Sequence, residues 1–200
     1  MKAAAIDDVE RVVLLDEDGH VVGSMAKSGV HGSATPLHLA FSCWVFDDAA
    51  RVLLTRRAPG KTFEGVWTNA VCGHPAPGEE LGDAVRRRCR DELGLDVGPL
   101  RLVLPDFRYR AEQDGVVENE ICPVLVARVR GGVDLTPEPA EVADLDWVPW
   151  DQLRADIASG RRVISAWAHE QSLLLAGLGD DPATWPQADP ADLPPALRAK

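Results

Sequence analysis

Cys72, Glu118 and Glu120, together with three of the five histidines, are the residues whose types and neighbours suggest chemistry. Cys72 sits in Trp67-Thr68-Asn69-Ala70-Val71-Cys72-Gly73-His74-Pro75, next to a glycine that opens the backbone and near a histidine that can bind a metal. A thiol acts as an acid or base when its surroundings bring its pKa toward the operating pH, and a neighbouring carboxylate or metal can do this. An ordinary buried cysteine is the plainer alternative. Glu118-Asn119-Glu120 lies in a β-like run, where a side-chain period of two sends both glutamates to one face and Asn119 to the other. Taken alone, that spacing suits a solvated strand face. If Val71 to His74 is extended, Cys72 and His74 also share a side. His31, His38 and His74 stand at loop-to-strand junctions. Each on its own is more often a hydrogen-bonded structural histidine, but three imidazoles with two carboxylates form a mixed nitrogen and oxygen set suited to zinc, manganese or a similar divalent ion.

The elements that must position these groups can be read from pattern. Arg11 to Leu15 and His20 to Gly23 flank the turn-forming Asp16-Glu17-Asp18-Gly19 and predict a hairpin. Leu39 to Phe46 reads as a buried strand paired with Val52 to Thr55. Leu81, Val85, Cys89 and Leu93 recur every four residues and predict a helix over 79–93, with Gly94 placed to stop it. Strands are expected at 100–104, 107–110, 116–129 and 145–148, and helices near 151–159 and 163–178. The Pro-, Asp- and Ala-rich segment 179–200 has no apolar period and reads as a loosely packed tail. The fold class is α+β in a single domain over 11–178, preceded by a short segment 1–10.

A chain of 200 residues with 46% hydrophobic content can bury one sizeable core. Its net charge of −11 argues against nucleic acid or an anionic membrane as partner, so an anionic substrate must be met by local basic residues. The four cysteines form no Cys-x-x-Cys pair, which fits reduced thiols. No secretory or membrane-spanning stretch is visible, and a cytoplasmic location is the default expectation.

The stretch from Gly73 through Glu79 to Arg87-Arg88-Cys89-Arg90-Asp91-Glu92-Leu93-Gly94 resembles the Nudix box in spacing. Its acids differ: Arg88 and Asp91 stand where that box carries glutamates, while Glu79 and Glu92 remain. A guanidinium in place of a carboxylate inverts the local charge, which weighs against a hydrolytic metal cluster of the usual kind. The 67–75 stretch, Pro105-Asp106-Phe107-Arg108-Tyr109-Arg110 and Val117-Glu118-Asn119-Glu120 together resemble, in order and spacing, the type 1 isopentenyl-diphosphate isomerases, from about Val12 to the segment around Trp167.

That resemblance implies a Nudix-like mixed β-sheet sandwiched by helices and an allylic isomerisation of a small diphosphate. It implies His31, His38, His74, Glu118 and Glu120 as ligands of a protein-bound divalent ion, Mn2+ or Zn2+, and Glu92 as the carboxylate associated with Mg2+ at the diphosphate. Cys72 and Glu118 match the two proton-transfer groups, Tyr109 the phenol that supports Glu118, and Trp167 the indole facing the developing cation. Lys27, Arg57, Lys61 and Arg88 match the basic residues around the diphosphate. A monomer is expected, with a homodimer as the alternative. A Nudix pyrophosphohydrolase and a non-catalytic ligand-binding module on the same scaffold are the competing readings.

Overall fold

Residues 10–198 are described by the computed structural model, so of the segment 1–10 only Glu10 falls within it. The chain opens with the antiparallel pair β1 (Arg11–Leu15) and β2 (Val21–Ala26), turned by Asp16, whose carboxylate accepts from the backbone N–H groups of Asp18 and His20. The expected first hairpin is present, its second strand running to Ala26. The strand expected at 39–46 is two pieces, β3 (His38–Leu39) and β4 (Phe41–Phe46). β4 turns into β5 (Arg51–Arg57), and two short strands follow, β6 (Trp67–Asn69) and β7 (Val71–Gly73). Val71 to Gly73 is extended, and His74 follows just beyond the end of that strand.

Helix α1 (Leu81–Leu93) presents Val85, Cys89 and Leu93 to Phe41, Cys43 and Val45 of β4, as its four-residue period requires. It ends at Gly94, whose φ of 61° is the left-handed conformation a glycine adopts without strain. Beyond it come β8 (Leu100–Leu104), β9 (Arg108–Gln113), β10 (Val116–Ile121), β11 (Val124–Arg128), β12 (Val142–Pro149), α2 (Trp150–Ala158) and α3 (Ala166–Ala176).

The single strand expected over 116–129 is broken, and the break shapes the fold. Pro123 has no N–H to give to a ladder, and the chain passes there from one sheet to another. β10 lies in a five-stranded sheet ordered β2-β1-β3-β10-β9. β11 lies in a second sheet ordered β12-β5-β4-β11-β8, with β6 on β5 and β7 on β4. β3 and β4 make the same crossing alongside, parallel to β10 and β11. The two paths are joined through the break, since Ala40 N–H donates to Ile121 O and Ser42 N–H to Pro123 O. The expected one mixed sheet is thus two mixed sheets sharing two continuous paths, with three α-helices among the described residues. The α+β class stands.

The segment expected to be a loose tail is packed. Trp185 is 2% exposed and sits among Phe46, at 5.5 Å, and Trp150, at 5.5 Å between ring centroids. The Arg101 guanidinium donates to the carbonyls of Pro182, Ala183 and Trp185, and Ala188 N–H donates to Leu102 O. Spaced single anchors of this kind produce no periodicity, which is why composition alone misjudges the segment. Removing the Trp185 side chain is expected to cost about 3–5 kcal/mol of unfolding free energy. Urea denaturation of Trp185→Ala checks this, and a loss below about 1 kcal/mol would mean the segment is peripheral to folding.

Candidate active site

A cleft of about 570 Å3 collects residues from both sheets and from α1 and α3. His31, His74, Glu118, Glu120, Cys72, Tyr109 and Trp167 line it, and so do Lys27, Arg57, Lys61, Arg88 and Glu92. His38 completes the group from directly behind Glu120, fully buried. Every side chain proposed from sequence therefore falls in or against one cavity.

β10 is the spine of the polar side. Glu118 and Glu120 point to one face, as the period of two requires, and are 5% and 6% exposed, so the solvated-face alternative is excluded. Parallel register sets His38 opposite Glu120, and antiparallel register sets Tyr109 opposite it on the other side. His31 is brought in by its loop, which Val117 N–H pins by donating to Gly32 O at 2.9 Å. His74 leaves the end of β7. The imidazole centroids lie 5.1–5.8 Å apart, and one ligand atom from each of His31, His38, His74 and Glu120 falls within 4.8 Å of all the others.

Orphaned polar atoms test whether this group suits a metal. His31 Nε2 and Glu118 Oε2 are 2.9 Å apart, yet both are buried without an aligned hydrogen bond. His38 Nε2, 3.3 Å from Glu120 Oε1, is orphaned in the same way, and His74 turns its Nε2 to the same oxygen at 3.2 Å. Buried polar groups are ordinarily paired, so atoms this close and this poorly aligned are aimed at a common point between them. His38 Nδ1–H donates to Pro36 O at 2.9 Å, leaving Nε2 with its lone pair facing inward, the usual way a metal-binding imidazole is oriented. The donor set fits a divalent ion.

The protonation environment differs among the imidazoles: burial acts to lower the His38 pKa, but Glu120 beside it outweighs this and raises it. Burial pushes the His74 pKa down to about 4, so the ring is neutral at neutral pH. For Glu120, burial acts to raise the carboxyl pKa, but the adjacent His38 and His74 imidazoles outweigh it and hold it well below the ordinary value. Glu118 is pushed up by burial and by the charge of Glu120. Burial lifts the Cys72 pKa to about 11, which leaves a protonated thiol. One expectation is corrected: the Tyr109 hydroxyl donates to Glu120 Oε2 at 2.8 Å, not to Glu118. Cross-strand register decides this, and motif order does not reveal it.

Three of the four basic residues already carry counter-charges. Lys27 Nζ pairs with Glu10 at 2.9 Å, Lys61 Nζ with Glu141 at 2.6 Å, and Arg88 with Glu92 at 2.6 Å and Glu141 at 3.2 Å. Arg57 donates to Thr62 O and lies 5.8 Å from the Trp167 ring. Sequence reasoning missed Glu10 and Glu141. The only signal was indirect: buried cations need counter-charges. Of the Nudix-box residues, Glu79 is turned away and bound by Arg87 at 2.8 Å, and Asp91 is exposed. From the helical part of that box, Arg88 and Glu92 reach the cleft.

Comparison with known proteins agrees with this geometry. The chain belongs to the Nudix family: the NUDIX domain matches residues 36–168. A Deinococcus radiodurans protein of known structure superposes with a TM-score of 0.63 at 19% identity, covering 82% of this chain and 98% of that one. A Nudix hydrolase of M. smegmatis superposes with a TM-score of 0.55 at 21% identity, covering 89% and 98%. At such identities these likenesses speak to fold alone.

Within that family the chain falls among the isopentenyl-diphosphate Delta-isomerases. The Mycolicibacterium vanbaalenii protein of that name is 60% identical over 177 residues, 86% of this chain and 96% of that protein. The Saccharopolyspora erythraea one is 50% identical over 190 residues, 94% and 97%. The chain is an enzyme that interconverts isopentenyl and dimethylallyl diphosphate in isoprenoid biosynthesis.

If the imidazole cluster holds a divalent ion, His38→Ala will weaken binding of Mn2+ or Zn2+ about 10–100-fold or more, since even residues that only orient ligands contribute that much. Titration of the metal-stripped protein, followed by calorimetry, measures this. Unchanged affinity would remove His38 from the ligand set.

Proposed function

We propose that Cys72 and Glu120 carry the two proton transfers of the isomerisation, on a substrate whose diphosphate lies against Lys27, Arg57, Lys61 and Arg88. Moving a double bond by one carbon requires a proton added at one end of the allylic unit and another removed beyond the central carbon. A tertiary carbocation forms between the two events. In the reverse direction the two groups exchange tasks. The observation that carries the reading is the shared cleft, in which a protonated thiol and a carboxylate face the same volume with Trp167 beside them.

Glu120 replaces Glu118 in this role because it is the carboxylate that receives the Tyr109 hydroxyl. A phenol O–H donated to one oxygen stabilises the charged form and can follow the proton's arrival or departure. Glu118 is assigned with His31, His38, His74 and Glu120 to hold a divalent ion, Mn2+ or Zn2+. When bound, that ion would supply positive charge beside the two carboxylates, and Mg2+ at Glu92 would supply charge to the diphosphate. Trp167 packs on Phe63 and Tyr109, at 5.5 Å from each, and lends a ring face to the cleft. An indole face contributes about 2 kcal/mol to a desolvated cation.

A cytoplasmic monomer acting on a small diphosphate, without nucleic acid or membrane partner, completes the reading. The net charge of −11 and the four free cysteines support it, and no helix among the described residues is long and apolar enough to cross a membrane.

Cys72→Ala and Glu120→Gln are each expected to lower kcat by about 10²–10⁴-fold or more. Glu118→Gln should lose activity only in step with metal occupancy and regain it in excess metal. The assay is conversion of isopentenyl diphosphate with solvent deuterium entering the product. Full turnover in Cys72→Ala or Glu120→Gln contradicts the assignment.

A further inference from the structure

Behind Cys72 runs a chain of buried polar side chains that metal, diphosphate and cation binding leave unused. Trp44, Gln171 and Ser42 are each fully buried in an otherwise apolar region between β4 and α3. Their bonds have a fixed direction. An indole N–H can only donate, and Trp44 Nε1 donates to Gln171 Oε1 at 2.8 Å. The amide is thereby oriented, and Gln171 Nε2 donates to Ser42 Oγ at 2.9 Å.

The Ser42 oxygen is therefore an acceptor toward Gln171, and its single proton must point elsewhere. Among the described residues its remaining side-chain neighbours are two sulfurs, Cys122 Sγ at 3.5 Å and Cys72 Sγ at 3.6 Å. The Cys72 S–H has its own acceptor in Asn69 Oδ1 at 3.2 Å, and Asn69 is fixed by donating to Cys43 O and Val71 O. While both thiols are neutral, the hydroxyl has no strong preference between them. Once Cys72 has given its proton to a substrate carbon, the S–H bond broken and a C–H bond formed, the negative charge left on sulfur makes it the stronger acceptor.

We propose that Ser42, aimed by Trp44 and Gln171, is a positioning residue for the proton-transfer sulfur. Its hydroxyl donates to Cys72 Sγ in the half of the cycle in which that sulfur lacks its proton. Asn69 then sets the direction of the S–H bond, and Ser42 supplies the hydrogen bond that replaces it. An indole and an amide buried far from the substrate gain a purpose that packing alone does not require.

The inference rests on the reading of Cys72 as a proton-transfer group, so the test separates the two. Steady-state kinetics of the metal-loaded enzyme are measured for Ser42→Ala, Gln171→Glu and Cys72→Ala. Ser42→Ala removes the donor, and kcat should fall about 10–100-fold, the usual worth of a hydrogen bond to a charged group, with KM within about twofold. Gln171→Glu keeps the shape but accepts where the amide donated, drawing the hydroxyl proton away from sulfur, and should show the same split. A merely structural contribution would move KM and kcat together or lower the yield of folded enzyme. Wild-type kcat in Ser42→Ala beside an inactive Cys72→Ala overturns the role of Ser42 and leaves that of Cys72 standing. Full turnover in Cys72→Ala overturns both.

Discussion

A row of three cross-strand neighbours, His38 on β3, Glu120 on β10 and Tyr109 on β9, holds a buried carboxylate in place, and the rest of the site is arranged around it. Burying an ionised carboxylate without partners costs several kcal/mol. Glu120 avoids that cost because both of its oxygens are engaged, one near two imidazoles and the other by a phenol. The row exists only because a parallel pair and an antiparallel pair meet on the same strand in matching register. A slip of one residue on β10 would turn Asn119 inward and both glutamates outward.

The same strand crossing ties this polar wall to the thiol. Where β3 and β10 leave the first sheet they become β4 and β11 of the second, and β4 pairs with β7, which carries Cys72. His38 and Glu120 thus belong to one sheet and Cys72 to the other, joined by two continuous chain paths, with His74 entering the cluster from the end of β7. Helix α1 adds Arg88 and Glu92, buried one turn apart and lining the cleft, while α3 adds Trp167. Lys27, Lys61 and Arg88 are held by acids, while Arg57 lies 5.8 Å from the Trp167 ring. A diphosphate must compete with Glu10 and Glu141 for the cations they already hold.

How much of this was legible in the sequence depended on whether the information was local. Helix α1 and its Gly94 stop were readable because one face repeats every four residues. Glu118 and Glu120 were placed together correctly because strand periodicity is a local rule. The partner of Tyr109 was not readable, since it depends on which residues two strands set opposite each other. Pro123 did carry a readable signal for the break between β10 and β11, but the flanking apolar run masked it. Trp185, Glu141 and Gln171 were invisible for a shared reason: each acts through contacts far away in sequence and belongs to no repeating pattern.

In the proposed complex one cleft holds Cys72, Glu120 and Trp167 around the hydrocarbon while the basic residues hold the phosphates. A crystal structure with a diphosphate whose tertiary carbon is replaced by a dimethylammonium nitrogen tests it directly, because that fixed charge imitates the carbocation. The account predicts the ammonium against the Trp167 ring, with the Cys72 sulfur and a Glu120 oxygen on opposite sides of it and the phosphates among Lys27, Arg57, Lys61 and Arg88. An ammonium bound outside this cleft, or with the Cys72 and Glu120 side chains on the same side of it, would contradict the account.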